Sequence, residues 1–310
     1  MQSTEIRAEA LSIGSRGSPL ALAQAGEVRD ALAAAFGDHG FAIVPIRTTG
    51  DRIAGPLAEA GGKGLFTKEI DEALLAGRID AAVHSAKDIP TRLPDGIVIA
   101  ACLTRGDVRD AFVSPIADRL TDLPRGARLG TSSLRRRALA LRARPDLAVV
   151  TLRGNVGTRL AKVADGEVDA TILAAAGLAR LGLAERARSL IAPEDWLPAV
   201  GQGTIAVAVR ADDRRTRDRL AAVGDRDTFV ALTAERAFLA RLDGSCRTPI
   251  GGLARVAGGR IVFAGIIVRP DGSACHEVRR EGPVSAAEKI GDEAGAELAE
   301  RGGPDFFAAD

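Results

Sequence analysis

The chain of 310 residues contains few cysteines, few histidines and few aromatic side chains. Its three cysteines, Cys102, Cys246 and Cys275, form an odd and widely spaced set, which argues against a disulfide framework and favours a reducing compartment. The three histidines are scattered and no two cysteines have the spacing of metal ligands, so we expect no metal site. Aromatic residues make up 3% of the chain and tyrosine is absent, which leaves the cores to aliphatic side chains.

Long apolar runs and a strong net charge are also missing. No stretch approaches the length of a membrane span, and the N-terminal segment MQSTEIRAEA lacks the basic start and apolar run of a signal peptide. From these two absences we expect a cytoplasmic protein. The formal net charge is +1 and 46% of the residues are hydrophobic, as in a soluble globular protein, and the length predicts two or three domains.

The order of apolar and glycine-containing segments predicts a series of α/β units. Residues 11–36 have the pattern of a strand, a glycine turn and a helix, with Ser18 at the N-cap and Pro19 at the first helical position. Similar units follow to about residue 90 and again over residues 127–182, which predicts two doubly wound α/β domains. Beyond residue 223 a helix, three short strands and a closing helix predict a small α+β domain with a three-stranded antiparallel sheet.

These patterns also suggest where the domains begin and end. The segment VGQGTIAVAVR predicts a strand, because Ile205, Val207 and Val209 alternate with smaller residues, and this strand is expected to return to the first sheet. We therefore predict a first domain of residues 1–104 and 203–222, a second of residues 105–202 and a third of residues 223–310.

Basic residues are concentrated in one segment. Between Pro124 and Arg159 nine arginines and a single acid, Asp146, give +8, which against the total of +1 leaves −7 on the other 274 residues. Such segregation indicates an anionic ligand, and the planar fork of arginine suits carboxylate or phosphate oxygens. Nucleic acid is the competing partner, but the segment has no aromatic residue for base stacking, so we expect no nucleic-acid partner.

Two arginines of this segment are expected at a helix N-terminus. The motif GTSSLRR places Arg135 and Arg136 beside free backbone N–H groups and the hydroxyls of Ser132 and Ser133, a setting that favours anions. Arg153 and Arg159 bracket a second strand end, RGNVGTR. For the arginines in the helix body the simpler interpretation is a solvated basic face: Arg137, Arg142 and Arg144.

The first domain offers a matching set of polar and basic residues. They follow predicted strands or flank a glycine loop: Arg16, Ser18, Lys63, Lys68 and Lys87. Asp88, in HSAKDIPT, is an acid among these cations. It is either an ion-pair partner of Lys87 or the group that stabilises positive charge on the reacting part of a ligand.

Cys246 lies among small residues in LDGSCRTPIGG, residues 242–252. A reactive cysteine needs access and nearby positive charge, which Gly244, Ser245 and Arg247 would provide. A cysteine without a chemical role in a glycine-rich turn is the alternative, and the segment alone leaves both open.

Nine segments in one collinear order, from about residue 11 to residue 252, resemble the porphobilinogen deaminase family, also called the hydroxymethylbilane synthases. They are GSRGSPLALAQA, GGKGLFTKEID, AVHSAKDIPT, RDAFVS, GTSSLRRRAL, LRGNVGTRL, AGLARLGL, LPAVGQG and ERAFLARLDGSCRTPIGG. Beyond residue 252 the resemblance is to a pattern of helices and strands only.

The resemblance implies a monomeric enzyme with two periplasmic-binding-protein-like α/β domains and a small α+β domain. It implies that four porphobilinogen molecules are joined head to tail with loss of ammonia, and that the linear product, hydroxymethylbilane, is released by hydrolysis. It also implies a dipyrromethane cofactor that is attached through a thioether to Cys246.

The family's motifs, matched residue by residue, imply a role for particular side chains. Asp88 is expected to be catalytic, because positive charge develops on a pyrrole nitrogen and a carboxylate stabilises it. The residues expected to hold the cofactor are Cys246, Asp88, Lys87, Ser132, Ser133, Arg135 and Arg136. Those expected to bind substrate are Arg16, Ser18, Gln24, Arg153, Arg159 and Arg180. Porphobilinogen is the expected partner, with no membrane.

The sequence departs from the family's usual pattern at Gly17, at Ala86 and around the cysteine, where Ser245, Arg247 and Thr248 stand in place of more usual residues. None of these departures removes a reacting group.

Two other classes of function compete with the enzyme. A non-catalytic anion-binding module of periplasmic-receptor type needs no reactive cysteine, but it predicts a secretion signal. A thiol hydrolase would use Cys246 with His84 or His276 as base, and it leaves the arginine segment unexplained.

Overall fold

The computed structural model describes residues 10–37, 40–52, 67–244 and 248–308, and these form two compact units. The first comprises Met1–Ile89, Leu93–Thr104 and Ile205–Asp225, and the second comprises Pro90–Arg92, Arg105–Thr204 and Arg226–Asp310. The division into three domains stays a prediction.

The described residues form strands β1 to β13: Leu11–Arg16, Phe41–Ile46, Ala81–Ser85, Ile97–Cys102, Asp110–Val113, Arg128–Gly130, Ala148–Val150, Ala170–Ala174, Ser189–Ile191, Ile205–Arg210, Ile250–Ala257, Arg260–Val268 and Cys275–Pro283. The same residues form helices α1 to α9: Pro19–Phe36, Thr49–Arg52, Lys68–Leu75, Leu134–Ala143, Val156–Ala164, Ala175–Arg180, Arg214–Ala221, Arg226–Arg241 and Ala287–Gly302.

The first unit is built on a five-stranded sheet with the order β2-β1-β3-β10-β4. Strands β1, β2 and β3 are parallel, whereas β10 runs antiparallel between β3 and β4. Helix α1 begins where the sequence predicts, because Pro19 follows Ser18, whose side chain accepts a hydrogen bond from the Ala21 N–H. The helix buries Val28 and Leu32 in the core beside β1 and β10. Its N-terminal end therefore lies at the carboxyl edge of the parallel strands.

The second unit contains a five-stranded sheet and a three-stranded sheet. The larger sheet has the order β7-β6-β8-β5-β9, with β6, β7 and β8 parallel and β5 antiparallel to β8 and β9. The smaller sheet, β11-β12-β13, is antiparallel throughout. Ile266 and Val268 of β12 share an apolar core with Phe112, Leu129 and Trp196 of the larger sheet and its loops. The predicted fold class, two α/β sheets and a small antiparallel sheet, is confirmed.

Helices α8 and α9 cover the three-stranded sheet and pack closely on each other. A side chain at Gly291 would put its Cβ 2.0 Å from the Ala234 carbonyl oxygen, so only glycine allows this approach. Phe238 of α8 lies 4.9 Å from Phe263 of β12, measured between ring centroids, and both rings are fully buried.

Candidate functional site

In the first unit a small pocket, partly open to solvent, lies where β1 and β3 end. Arg16, the last residue of β1, and His84 and Ser85, the last of β3, line it. Asp88 completes the wall from the single-turn 3-10 helix Ala86–Asp88, and Gln24 reaches it from α1. Because parallel strands end at one edge of the sheet, residues far apart in sequence meet here. The pocket brings together three residues to which the family resemblance gives a role, Arg16, Gln24 and Asp88, and it also contains His84, the candidate base of the alternative thiol hydrolase.

Two side chains in the wall of the pocket, Gln24 and Ser85, are held by hydrogen bonds to each other. The Gln24 amide donates to the Ser85 hydroxyl oxygen at 2.9 Å, and that hydroxyl donates to the Gln24 amide oxygen at 3.0 Å. Gln24 is 4% exposed, so this pairing satisfies a buried amide. Ser18, expected to bind substrate, caps α1 by accepting from the Ala21 N–H at 3.3 Å.

The charge in the pocket is set by Arg16, Asp88 and His84. His84 is 7% exposed, and its burial, with a smaller contribution from the charge of Arg16, lowers the pKa of the imidazole to about 4. The ring is therefore neutral at pH 7. Asp88 is exposed at the end of its helical turn, whereas Ala86, the departure from the family's pattern, is buried.

In the second unit polar residues gather at the carboxyl ends of β6 and β7. Ser132 donates to the Leu152 carbonyl oxygen at 2.7 Å, and the Ser133 hydroxyl accepts from the Arg136 N–H as the N-cap of α4. Asn155 caps α5 by accepting from the Thr158 N–H at 2.9 Å. Two helix N-termini, which favour anions, therefore lie at this edge.

Arg135 and Arg136 do not project from the N-terminus of α4. Their side chains are buried, with residue exposures of 3% and 6%, and point into the unit. One Arg135 nitrogen lies 2.7 Å from Asp110, and one Arg136 nitrogen lies 2.6 Å from the same carboxylate. Sequence reasoning missed Asp110, although an acid at the start of the apolar run DAFV was a signal for a buried ion pair.

Arg153 and Arg180 follow β7 and β8. The Nε of Arg153 is buried without a hydrogen-bond acceptor among the described residues. A buried guanidinium N–H that lacks an acceptor is suited to binding an anionic ligand. Arg180 donates to the Gly203 carbonyl oxygen at 3.0 Å, and Arg159 lies on α5.

The interpretation of the helix-body arginines as a solvated face is wrong for one of them. Arg144 is partly buried and pairs with Asp146 at 2.7 Å while donating to the Thr121 and Leu123 carbonyls. It holds a loop in place. Arg137 donates to the Val149 carbonyl oxygen at 3.1 Å.

Four residues named in the sequence analysis lie outside the described residues: Lys63, Ser245, Cys246 and Arg247. Cys102 is buried in the first unit, and burial raises the pKa of the Cys275 thiol. No helix in the described ranges combines the length and hydropathy that crossing a membrane requires.

Two α/β sheets whose strand ends carry arginines, serines and helix N-termini are typical of α/β proteins that bind anionic small molecules. Residues 11–218 match the family model described as porphobilinogen deaminase, dipyromethane cofactor binding domain, and residues 229–300 match the one described as its C-terminal domain. The chain belongs to the porphobilinogen deaminase family and carries that family's cofactor-binding domain.

Relatives match over almost the whole chain. A porphobilinogen deaminase from Nitrobacter winogradskyi is 57% identical over 310 residues, covering 99% of this chain and 98% of the relative. Another from Paracoccus denitrificans is 55% identical over 300 residues, covering 96% of each. Among solved structures, a nutrient-binding protein from Burkholderia cenocepacia bound to methionine aligns with a TM-score of 0.44 at 17% identity, over 68% of this chain and 90% of that one.

Proposed function

We propose that Asp88 is the catalytic residue of this chain in the reaction of its family, and that Arg16 binds the substrate beside it. The family's reaction condenses four porphobilinogen molecules head to tail, with loss of ammonia, to hydroxymethylbilane. The observation that carries the proposal is that Arg16 and Asp88 line one pocket in the first unit.

The charge of the pocket suits this reaction. Porphobilinogen carries acetate and propionate groups, and its reacting pyrrole nitrogen becomes positive when ammonia leaves and again when the new bond forms. Among the residues that line the pocket, Arg16 is the cation and Asp88 the anion, because the buried His84 is neutral. A guanidinium binds the substrate carboxylates, while a carboxylate accepts the pyrrole N–H and stabilises the developing charge. Lys87 precedes Asp88 on the same helical turn but does not line the pocket.

Asp88 is fixed by the backbone around it. The 3-10 turn Ala86–Asp88 follows β3 directly, and the Ile89 N–H donates to the Ala86 carbonyl at the end of that turn. Ala86 is buried at 3% exposure, which holds the turn against the unit while Asp88 faces outward. A carboxylate on a rigid turn needs little reorganisation when the charge develops.

The cofactor requires anion-binding groups as well. When bound, dipyrromethane supplies the nucleophilic pyrrole carbon to which the first substrate is joined. We assign its thioether to Cys246 and its carboxylates to Lys87, Ser132, Ser133, Arg135 and Arg136, with the two arginines acting through their charge because their side chains are buried against Asp110. The N-termini of α4 and α5 and the unpaired Nε of Arg153 support carboxylate binding in the second unit.

The remaining assignments complete the proposal. We assign the carboxylates of substrate and growing chain to Arg16, Ser18, Gln24, Arg153, Arg159 and Arg180. The protein acts as a cytoplasmic monomer of three domains, with boundaries near residues 105, 203 and 223.

Asp88→Asn tests the role of Asp88. The amide keeps the shape but loses the charge, so we expect kcat to fall by about 10²–10³, the cost of removing one preorganised electrostatic group. Asp95→Asn is the matched control, because Asp95 is an exposed acid of the same unit that does not line the pocket. A loss of less than tenfold in Asp88→Asn, or an equal loss in the control, would overturn the assignment.

A further inference from the structure

Asp110 is the first residue of β5 and lies at the centre of a buried cluster. Its Oδ2 accepts from Arg135 at 2.7 Å and from the Trp196 indole N–H at 2.8 Å. Its Oδ1 accepts from two nitrogens of Arg136, at 2.6 and 3.2 Å, and from the Gln202 amide at 2.9 Å. The Asp110 side chain is fully buried. Four side chains from three separate parts of the chain thus converge on one carboxylate.

The cluster contains more positive charge than negative. Burial alone would raise the pKa of Asp110, but the two guanidinium groups hold it well below its ordinary value, so the carboxylate is ionised. Two guanidinium groups then face one carboxylate. The Nε of Arg135 is also buried without an acceptor among the described residues. A surplus charge and an unused donor are costly in a protein interior, and an anion nearby would relieve both.

A second buried carboxylate in the same unit shows a balanced arrangement. Glu235, whose side chain is fully buried, pairs with Arg105 at 2.6 and 3.1 Å. It also accepts from the Gly201 N–H at 2.6 Å and the Ala254 N–H at 2.8 Å. One cation faces one anion, which is what a purely structural ion pair requires. The surplus at Asp110 is therefore not a general property of buried pairs in this unit.

The two arginines that Asp110 binds lie at the N-terminus of α4, so Asp110 can influence the position of that helix end. Both lie in the first turn of α4, directly after Ser132 and Ser133, whose hydroxyls lie at the carboxyl end of β6. Arg136 also donates to the Ile172 carbonyl in β8, and Arg135 to the Leu197 carbonyl. Asp110 thus ties the first turn of α4 to the start of β5. A shift of either arginine would move the helix N-terminus that carries Ser133.

We propose that Asp110 is a positioning residue for cofactor binding: by anchoring Arg135 and Arg136 it fixes the N-terminal turn of α4 and directs the surplus charge toward the carboxylates bound there. The inference rests on the proposed function, in which Ser132, Ser133 and the arginine pair hold the dipyrromethane. In this role Asp110 does not touch the ligand itself.

The test compares Asp110→Asn with Glu235→Gln. Each change neutralises a fully buried carboxylate of the second unit, so both are expected to lower the thermal unfolding midpoint. The intact mass of each denatured chain shows how much dipyrromethane it holds after purification. The same measurement over time, on cofactor-free chains with added porphobilinogen, gives the rate at which each chain gains the cofactor. We expect Asp110→Asn to acquire the added mass at least about tenfold more slowly, with a raised KM, and Glu235→Gln to stay within about threefold of the unsubstituted chain.

Equal slowing in both variants at equal loss of stability would make Asp110 merely structural and overturn the proposal, as would a normal rate in Asp110→Asn. If Asp110→Asn does not fold, Trp196→Phe decides, because it removes one hydrogen bond to Asp110 and keeps the aromatic packing. A slower gain of mass in Trp196→Phe than in Glu235→Gln supports the proposal, and no difference refutes it.

Arg135→Gln and Arg136→Gln separate this inference from the proposed function. If these variants fail to gain the cofactor while Asp110→Asn gains it normally, the arginines bind the cofactor without help from Asp110. If all three variants gain it normally, the assignment of the arginine pair to the cofactor is itself wrong.

Discussion

The buried imidazole of His84 makes the stability of the first unit depend on pH. Its pKa in the folded chain is about 4, against an ordinary value of 6.5, because burial disfavours the charged ring. Between these two values the unfolded chain binds a proton that the folded chain does not, so stability falls as pH falls. Each unit of pKa corresponds to about 1.4 kcal/mol, and linkage gives a loss of about 2 kcal/mol between pH 7 and pH 5.

The variant His84→Gln isolates this contribution, because the amide is polar but does not titrate. Asp71 works in the opposite direction, since burial raises its pKa to about 6, and its stabilising contribution is lost as pH rises through that value. Asp71 is present in both proteins, so its effect cancels in the difference between them. Urea unfolding at pH 7 and pH 5 should show the additional loss of about 2 kcal/mol only with His84 present. An equal loss in both proteins, or an NMR titration of His84 near pH 6.5, would refute the reasoning.

Two further predictions concern the cofactor and the packing of the second unit. The denatured purified chain should exceed its sequence mass by two porphobilinogens less two ammonia, an excess that Cys246→Ala abolishes and Cys102→Ala retains; loss of the excess in both would refute the assignment. Gly291→Ala should lower the stability of the second unit by about 1–3 kcal/mol, because the new Cβ would lie 2.0 Å from the Ala234 carbonyl oxygen. Guanidinium unfolding measures this, with Gly157→Ala as the control for loss of a helical glycine, because the new Cβ there would make only an ordinary contact, 3.5 Å from the Asn155 side-chain oxygen.

The pocket of the first unit was largely predictable because local sequence marks strand ends and helix starts. The alternation of apolar residues places the end of β1 near Arg16, and Ser18 with Pro19 marks the start of α1. Once β1 and β3 are assigned to one parallel sheet, their carboxyl ends must meet. The pairing of Gln24 with Ser85 was not predictable, because these residues are 61 positions apart in sequence and no local pattern links them.

The direction of Arg135 and Arg136 was not predictable for the same reason. A capping pattern shows that the two residues lie in the first turn of α4, but it does not show whether their side chains point to solvent or to the sheet. That choice depends on Asp110, which lies 25 and 26 residues earlier and reaches the helix only through the pairing of β5 with β8. Long-range pairing of strands thus decides the environment of a short-range motif.

The net charge of the arginine segment is smaller in the folded chain than in the sequence, because acids from outside the segment pair with its arginines. Over residues 124–159 the net charge is +8. In the folded chain Asp110 pairs with Arg135 and Arg136, and Asp169 pairs with Arg128, although both acids lie outside the window. Counting these two acids lowers the local charge from +8 to +6. The remaining surplus includes the second guanidinium at Asp110, which is buried, and Arg153, whose buried Nε has no acceptor among the described residues. The segregation of charge seen in the sequence therefore survives folding, which supports the proposed binding of carboxylates in the second unit.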